Sequence, residues 1–200
     1  MTAAVAIALA YFVGSIPTGV LLGRLAGVDV RSSGSGNIGA TNVARTVGRT
    51  LGILTLVGDA LKGLVPVLTA RALGLGDATV AGVGVGALCG HVFSIFLSLR
   101  GGKGVATGVG VLLGLSPAIV PIPLGVFALT IALSRIVSLS SILASLSAPI
   151  VVLVFRYPPA VVWAATAMAF LIVLRHRKNI GRLMAGTEQR FESKIGRAHV

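Results

Sequence analysis

One polar stretch, Ser32–Gly48, lies between two long apolar runs and combines residue types that can bind a phosphate. Its glycines let a ligand approach the backbone closely and let N–H groups turn toward it. Its hydroxyl and amide groups are neutral donors, and a guanidinium can hold phosphate through two bonds. A merely soluble loop is the alternative, although such loops rarely need these side chains interleaved with glycine. The candidate ligand-binding residues are Ser35, Gly36, Asn37, Gly39, Thr41, Asn42 and Arg45.

A second polar motif, Arg100–Gly108, follows the third apolar run and opens the next one. Its lysine stands among glycines just before an expected helix start, where free N–H groups and the helix dipole favour negative charge. The motif is not a Walker A sequence, because the spacing and the Lys-Ser/Thr pair are absent. A basic turn without a ligand is the alternative. The candidate anion-binding residues are Gly101, Gly102, Lys103, Gly104 and Thr107.

A third polar motif, Arg175–Glu188, follows the last apolar run. His176 is the histidine best placed to transfer a proton at neutral pH. It is otherwise a polar member of a basic cluster that contacts lipid headgroups. Glu188 is the acid nearest this cluster and is a candidate salt-bridge anchor. Ser138 and Ser141 add hydroxyl groups at the same end of the predicted sixth span.

Charged residues also occur inside an apolar run, as Asp59 and Lys62. Ionisable groups within a membrane are costly and normally face a cavity or each other. With a spacing of i,i+3 the two side chains share one helix face and can pair. They therefore either line a functional cavity or form a structural ion pair. His91, in the next run, is interpreted as a core histidine with satisfied hydrogen bonds, and Cys89, the single cysteine, as a packing residue.

The composition is that of an integral membrane protein. Of 200 residues, 55% are hydrophobic and 11% are charged, against about 25% charged in a soluble domain. The mean hydropathy is +0.99 and no long hydrophilic block is present, so a separate soluble domain is not expected. Basic residues stand at the ends of apolar segments, which argues against nucleic-acid binding and for contact with membrane lipids.

Seven apolar segments approach the roughly 20 residues that a helix needs to cross the hydrocarbon core. They are too long and too uniformly apolar for the strands of a membrane β-barrel. Glycines recur in the third segment between Gly82 and Gly90, which predicts close helix contacts. Ser116-Pro117 separates the two shortest segments, which form a hairpin unless one is re-entrant. The predicted spans are residues 3–23, 52–73, 79–98, 105–116, 118–134, 138–155 and 159–174.

The distribution of basic residues predicts the orientation of these spans. If the connections are numbered alternately, Arg71 and Arg156 stand alone on one side, and the other basic loops and the basic tail fall on the opposite side. The positive-inside rule then places the N-terminus outside and the C-terminus in the cytoplasm. All three polar motifs lie on the cytoplasmic side, so an active site is expected at that face.

Several kinds of chemistry have no counterpart in the sequence. Clustered carboxylates that would hold magnesium and a His/Cys array that would hold zinc are both missing, so no metal is expected. No nucleotide-binding fingerprint is present, and no cofactor is expected. Neither His91 nor His176 is followed four or five residues later by an acid, as an HxxxxD-type acyltransferase would require.

The three motifs read SGNIGATNVAR, GGKGVATG and H-x-x-N-I-x-R-L-x-x-G-T-E. In this order and spacing they resemble the bacterial acyl-phosphate:glycerol-3-phosphate acyltransferases, the PlsY family, over nearly the whole chain to Glu188. The resemblance implies an all-α enzyme of the bacterial inner membrane with seven helices. It also implies transfer of a fatty acyl group from acyl phosphate to the sn-1 hydroxyl of glycerol 3-phosphate. Ser94 departs from the pattern, which has proline at that position.

The resemblance also implies roles for individual residues. Ser35 and Arg45 correspond to essential members of the first motif, and Lys103 with its glycines to the glycerol 3-phosphate site. His176 and Asn179 correspond to catalytic members of the third motif, in which the glutamate supports the structure. Arg45, Lys103 and loop N–H groups would stabilise the departing phosphate without a metal. The base is either His176 or an oxygen of the acyl phosphate.

Two other classes of protein remain open from the sequence. A small transporter of anionic solutes would also place basic loops and an intramembrane Asp–Lys pair beside a pathway, although no inverted repeat is visible. A membrane scaffold would explain the small residues but not three polar motifs on one side. We predict one domain over residues 1–194, and interpret Ile195–Val200 as translated sequencing adapter.

Overall fold

The computed structural model describes residues 1–190, so the predicted adapter tail lies outside the described residues. Within them the secondary structure is helical, and short 3-10 turns at Ile95–Leu97 and Pro117–Ile119 supplement the α-helices. The α-helices are α1 (Ala3–Ser15), α2 (Thr18–Leu25), α3 (Ala40–Thr46), α4 (Arg49–Ala72), α5 (Asp77–Val92), α6 (Val105–Leu115), α7 (Pro121–Ser134), α8 (Val137–Val154), α9 (Pro159–Arg175) and α10 (Arg177–Met184).

Five helical segments are long and apolar enough to cross a membrane: Ala3–Leu25, Arg49–Ala72, Asp77–Leu97, Pro117–Ser134 and Val137–Val154. Helices α9 and α10 form a pair bent by 59°, which makes a sixth segment if the pair is one span. Helix α6, with 11 residues, is a shorter apolar helix. The predicted all-helical membrane architecture is confirmed, whereas the count of seven spans and the orientation remain predictions.

The outer surface of the bundle is apolar, as a hydrocarbon environment requires. Leu133 of α7 and Trp163 and Phe170 of α9 expose 79%, 73% and 66% of their surface. Such extensive exposure of large apolar side chains is unfavourable in water and costs nothing against lipid tails. The exposed apolar surface is therefore the lipid-facing surface of the bundle.

Helix α5 occupies the centre of the bundle, where it packs against α1, α4, α6 and α9. Its glycines make these contacts close: a side chain on Gly90 would overlap the Tyr11 carbonyl of α1, and one on Gly84 would overlap Val111 of α6. The same device joins α4 and α6, because a side chain on Gly110 would overlap the Ala60 carbonyl. The close helix contacts predicted from glycine are confirmed.

We expect Gly110→Ala to lower stability by about 1–3 kcal/mol, because the added methyl group must push α6 away from the backbone of α4. The readout is the thermal unfolding temperature of the protein in detergent. Gly125→Ala in α7 is the matched control, since nothing lies within 4 Å of an added methyl group there. Equal unfolding temperatures for both variants would contradict the proposed close packing.

The first predicted span is interrupted between α1 and α2 at Ile16 and Pro17. Proline has no amide hydrogen and disfavours helical geometry in the residue before it, so the helix breaks there. The Ile16 carbonyl instead accepts a hydrogen bond from Lys62 Nζ at 2.8 Å. Close by in sequence, the Ser15 carbonyl accepts a hydrogen bond at 2.6 Å from buried Ser94. These bonds fasten the break to α4 and to the end of α5.

The stretch Ser32–Gly48 is only partly a loop, since it contains helix α3. The chain turns from α3 into α4 at Gly48, whose φ of 140° is accessible to glycine. Helix α3 lies directly on α4, because Gly52 leaves room for Ala44. The sequence analysis did not predict this helix, whose seven residues are too few to show a clear apolar period.

Candidate active site

The three polar motifs meet at one end of the bundle, where hydrogen bonds connect them. Arg45 Nη1 of α3 donates to Gln189 Oε1 at 2.6 Å. The neighbouring Glu188 Oε1 accepts a hydrogen bond from Asn179 Nδ2 of α10. Asn179 Oδ1 in turn accepts from Lys103 Nζ at 2.7 Å. A continuous polar path thus leads from the first motif through the third to the second.

Glu188 joins three parts of this end of the molecule. Its carboxylate accepts hydrogen bonds from Ser138 of α8, at 2.7 Å, and from Asn179 and Arg182 of α10. Burial works to raise the pKa of Glu188, but the hydrogen bonds from Arg182, Asn179 and Ser138 outweigh it and hold the pKa below its ordinary value. The carboxylate therefore stays ionised near neutral pH and anchors the segment after α10.

We expect Glu188→Gln to reduce activity about tenfold, because the amide cannot replace the ionised acceptor of three hydrogen bonds. Asn179 and, through it, Lys103 would lose a defined position. The readouts are turnover in lipid and the unfolding temperature. Asp77→Asn is the control, since Asp77 is exposed at the start of α5, remote from these groups in the chain. Wild-type turnover in Glu188→Gln would contradict the anchoring role.

The loop that carries Lys103, Gly101–Gly104, is called the lysine loop, and hydrogen bonds to its backbone hold it in place. Arg175 donates to the carbonyl oxygens of Gly101 and Gly102, at 2.8 and 3.2 Å. The N–H groups of the same glycines donate to the Val92 and His91 carbonyls, at 3.1 Å each. The expectation that these two amides face an anion is therefore not met in this structure: they hold the loop against α5 instead.

The donors that remain for an anion lie further along, at the start of α6. Gly104, with a φ of 85°, is the N-cap, and the first N–H groups of a helix have no partner within it. Thr107 lies in this first turn, fully buried, and its Oγ1 has no hydrogen-bond partner among the described residues. Lys103 projects from the loop toward Asn179. The second motif thus offers an ammonium group beside a helix N-terminus.

Burial shifts the titration of two groups in the site. It lowers the pKa of Lys103 to about 8, with nearby Arg182 and Arg175 acting in the same direction and Glu188 opposing them. His176 directly follows the spanning helix α9, and burial together with Lys103 lowers its pKa to about 4. At pH 7 the imidazole is neutral. Its Nδ1 lies 2.7 Å from the Ile172 carbonyl, so a proton on Nδ1 leaves Nε2 as the acceptor.

The first motif presents an exposed rim over a rigid base. Asn42 is buried, and its amide donates to the Val30 and Ser33 carbonyls at 3.0 Å and accepts from Ser35 N–H at 2.8 Å. Asn42, expected among the phosphate ligands, thus uses its amide to close the loop. The more accessible residues of the rim are Ser35, Gly36, Asn37, Gly39, Thr41 and Arg45.

The charged residues of α4 form a buried cluster with a histidine of α5. Asp59 Oδ1 and Lys62 Nζ are 2.9 Å apart, and both side chains are at most 5% exposed. His91 Nδ1 lies 3.8 Å from Asp59 Oδ1. The ion pair considered in the sequence analysis is present. His91 is a core residue as predicted, but its Nδ1 has no hydrogen-bond partner among the described residues, so it is not a satisfied histidine.

Sequence reasoning did not single out two contributors to this site. Gln189 pairs with Arg45 across 144 residues, and Arg175 holds the lysine loop across more than 70. Neither residue differs in type from its polar neighbours, and only the folded chain shows these contacts. Ser141, expected at the site, is buried and donates to the Val137 carbonyl of its own helix at 2.9 Å.

An apolar helical bundle that gathers cationic and amide groups at one end defines a membrane protein that binds an anionic substrate near the bilayer surface. The family model of the glycerol-3-phosphate acyltransferases matches residues 4–186. A glycerol-3-phosphate acyltransferase of Geobacter sulfurreducens is 54% identical over 186 residues, 93% of this chain and 96% of the relative. One of Rubrobacter xylanophilus is 45% identical over 191 residues, 94% of each chain. The chain belongs to the glycerol-3-phosphate acyltransferase family.

Solved structures show the same fold. A crystal structure of PlsY (YgiH), an integral membrane glycerol 3-phosphate acyltransferase, in its glycerol 3-phosphate form has a TM-score of 0.91 and 40% identity, and covers 95% of this chain and 96% of that chain. The lysophosphatidic acid form of PlsY has a TM-score of 0.89 and 39% identity. The chain is accordingly an integral, multi-pass membrane protein.

Proposed function

We propose that the chain transfers a fatty acyl group from an acyl phosphate to the sn-1 hydroxyl of glycerol 3-phosphate, in the inner membrane of a bacterium. The products are 1-acyl-glycerol-3-phosphate and inorganic phosphate. The main support is the pair of hydrogen-bonded contacts that meet at the neighbouring residues Glu188 and Gln189, because they bring the motifs of Arg45 and Lys103 to one site. Both proposed substrates carry a phosphate, and Arg45 and Lys103 place one cation from each motif at the site.

In this proposal the two motifs divide the substrates between them. Lys103, with the first N–H groups of α6, binds the phosphate of glycerol 3-phosphate, and the glycines around it keep that approach open. The rim of the first motif binds the phosphate of the donor through Arg45 and Ser35. Asn179 orients Lys103, to which it is bonded at 2.7 Å. Glu188 supports the site, and Ser138 contacts it.

The reaction proceeds by direct attack of the glycerol hydroxyl on the acyl carbonyl. The new C–O ester bond forms, the bond between the carbonyl carbon and the phosphate oxygen breaks, and phosphate leaves with the electron pair. Arg45 stabilises the negative charge that develops on the phosphate. Because both substrates are already bound next to each other, reaching the transition state costs little further entropy. The departing group is already an anion, so we propose that no metal ion is required.

The hydroxyl proton passes to an oxygen of the phosphate. The pKa of His176, lowered to about 4, makes its imidazole a weak proton acceptor. The acyl phosphate reacts as a dianion; when its acyl–oxygen bond breaks, the phosphate takes up the hydroxyl proton and leaves as HPO4²⁻, so the reaction balances without another base. His176 is then a neutral hydrogen-bonding group that helps to orient the substrate and does not take its proton.

The test is acyl transfer by the purified protein in lipid, with labelled glycerol 3-phosphate and, separately, palmitoyl phosphate, palmitoyl-CoA or palmitoyl carrier protein. Each reaction is run with and without a chelator. We expect labelled lysophosphatidate from palmitoyl phosphate alone, unaffected by the chelator. Turnover with a thioester donor would overturn the proposed donor. Uptake of glycerol 3-phosphate into vesicles without lipid product would overturn the enzyme in favour of a transporter.

A further inference from the structure

A buried charge cluster lies directly behind the lysine loop, and the reaction described above does not use it. It consists of Asp59, Lys62 and His91, all at most 6% exposed. Each member belongs to an apolar helix, where an ion pair is expensive to bury. A pair of apolar residues would fill the same volume without that cost, so a structural reason for the charges must lie in what they contact.

The contacts of the cluster join the break in the first span to the lysine loop. Lys62 Nζ donates to the Ile16 carbonyl at 2.8 Å and lies 2.9 Å from Asp59 Oδ1. Asp59 faces His91 Nδ1 at 3.8 Å. The His91 carbonyl accepts the Gly102 N–H at 3.1 Å. The cluster thus ends at the residue that precedes Lys103.

The His91 ring also forms the floor beneath this loop. A side chain on Gly102 would overlap His91 Nε2, so the glycine backbone rests directly on the ring. One edge of the ring thus faces Asp59, and the other faces Gly102. Arg175 in turn donates to the Gly101 and Gly102 carbonyls. The loop is therefore held both by Arg175 and by the ring of His91.

We propose that Asp59, Lys62 and His91 are positioning residues that set the height and orientation of the Gly101–Gly104 loop and thereby the place of Lys103. Asp59 favours a proton on the Nδ1 that faces it at 3.8 Å and so orients the ring, and Lys62 holds Asp59 in position against the Ile16 carbonyl. This proposal rests on the proposed function only in assigning the loop to glycerol 3-phosphate. The predicted effect on hydrogen exchange of the loop does not depend on that assignment.

The main variant is Asp59→Asn/Lys62→Met, which removes both charges together and so leaves no unpaired ion in the core. The first readout is hydrogen–deuterium exchange of residues 99–104 in the substrate-free protein. We expect amide exchange about tenfold faster there. The second readout is kinetic: KM for glycerol 3-phosphate rises at least about tenfold, whereas KM for the acyl donor changes less than about twofold.

Thr55→Val is the matched control. Thr55 is buried one helical turn before Asp59, and its hydroxyl donates to the Leu51 carbonyl of its own helix. Its exchange, both KM values and unfolding temperature should equal those of the wild type. If the double variant fails to fold, His91→Gln replaces it. Glutamine removes the rigid ring on which the Gly102 backbone packs, because its side chain is flexible. The same two readouts should then move in the same direction.

Two results would overturn the proposal. The first is wild-type exchange of residues 99–104 in a folded variant. The second is an equal rise in both KM values together with a lower unfolding temperature, which indicates a purely structural ion pair. Failure of the proposed function is distinguishable, because the wild type would then lack acyl transfer while the exchange comparison still reports on the loop.

Discussion

Replacement of Arg45 by alanine is expected to lower kcat/KM by about two to three orders of magnitude. In the proposed mechanism the guanidinium faces the phosphate that leaves, so its contribution is largest in the transition state. The residue is exposed on α3, and its hydrogen bond in the described chain goes to Gln189. The fold should therefore survive the change, and the loss should appear in turnover rather than in the unfolding temperature.

Arg49→Ala is the matched control for this experiment. Arg49 begins α4, is exposed, and lies four residues beyond Arg45, so both variants reduce the local positive charge equally. We expect it to keep nearly full activity at moderate salt, where exposed charges are screened. Arg45→Lys should recover part of the loss, because lysine restores the charge but not the two-pronged geometry. Full activity of Arg45→Ala would remove Arg45 from the mechanism.

Replacement of Lys103 by methionine should lower kcat/KM about a hundredfold or more. Methionine is similar in length and fits a half-buried position, so packing is retained while the ammonium group is lost. In the proposed assignment the loss concerns glycerol 3-phosphate, and KM for that substrate should rise more than KM for the acyl donor. An equal rise in both would contradict the division of the two substrates between the motifs.

The pH dependence gives a second, independent test of Lys103. Its pKa of about 8 means that the ammonium form predominates below pH 8 and is lost above it. Because kcat/KM reports the free enzyme, kcat/KM for glycerol 3-phosphate should fall as the pH rises through about 8. Lys103→Arg should be slower but should keep its kcat/KM constant through this range, since guanidinium remains charged. A wild-type profile that stays flat to pH 10 would contradict the role of the ammonium group.

Much of the fold follows from the sequence because a bilayer restricts the choices. A run of apolar residues in lipid must satisfy its own backbone hydrogen bonds, which leaves a helix. The predicted spans at 138–155 and 159–174 differ from α8 and α9 by one residue at each end or less. Long polar stretches are too costly to expose to hydrocarbon, so the three motifs were expected at the ends of the spanning helices. Gly84 and Gly90 likewise predict close packing of α5 against its neighbours, because a glycine inside an apolar helix rarely has another structural role.

The site depends on contacts that no local pattern contains. The sequence identifies Gly101 and Gly102 as loop residues, but the carbonyls of α5 decide that their amides point inward. It identifies Asn42 as polar, but only the folded loop shows that its amide hydrogen-bonds to the backbone on two sides and closes the loop.

The class of molecule, the approximate positions of the long apolar helices and the three polar motifs could be predicted from the sequence. These follow from hydropathy and residue type, which act over a few neighbouring residues. The tertiary structure alone decided which groups remain free to bind a ligand. Arg45 meets Gln189, and His91 meets Gly102, through the packing of helices that are distant along the chain. A hydrogen bond is satisfied or left open by whichever atom lies about 3 Å away, and that neighbour is fixed only when the whole bundle closes.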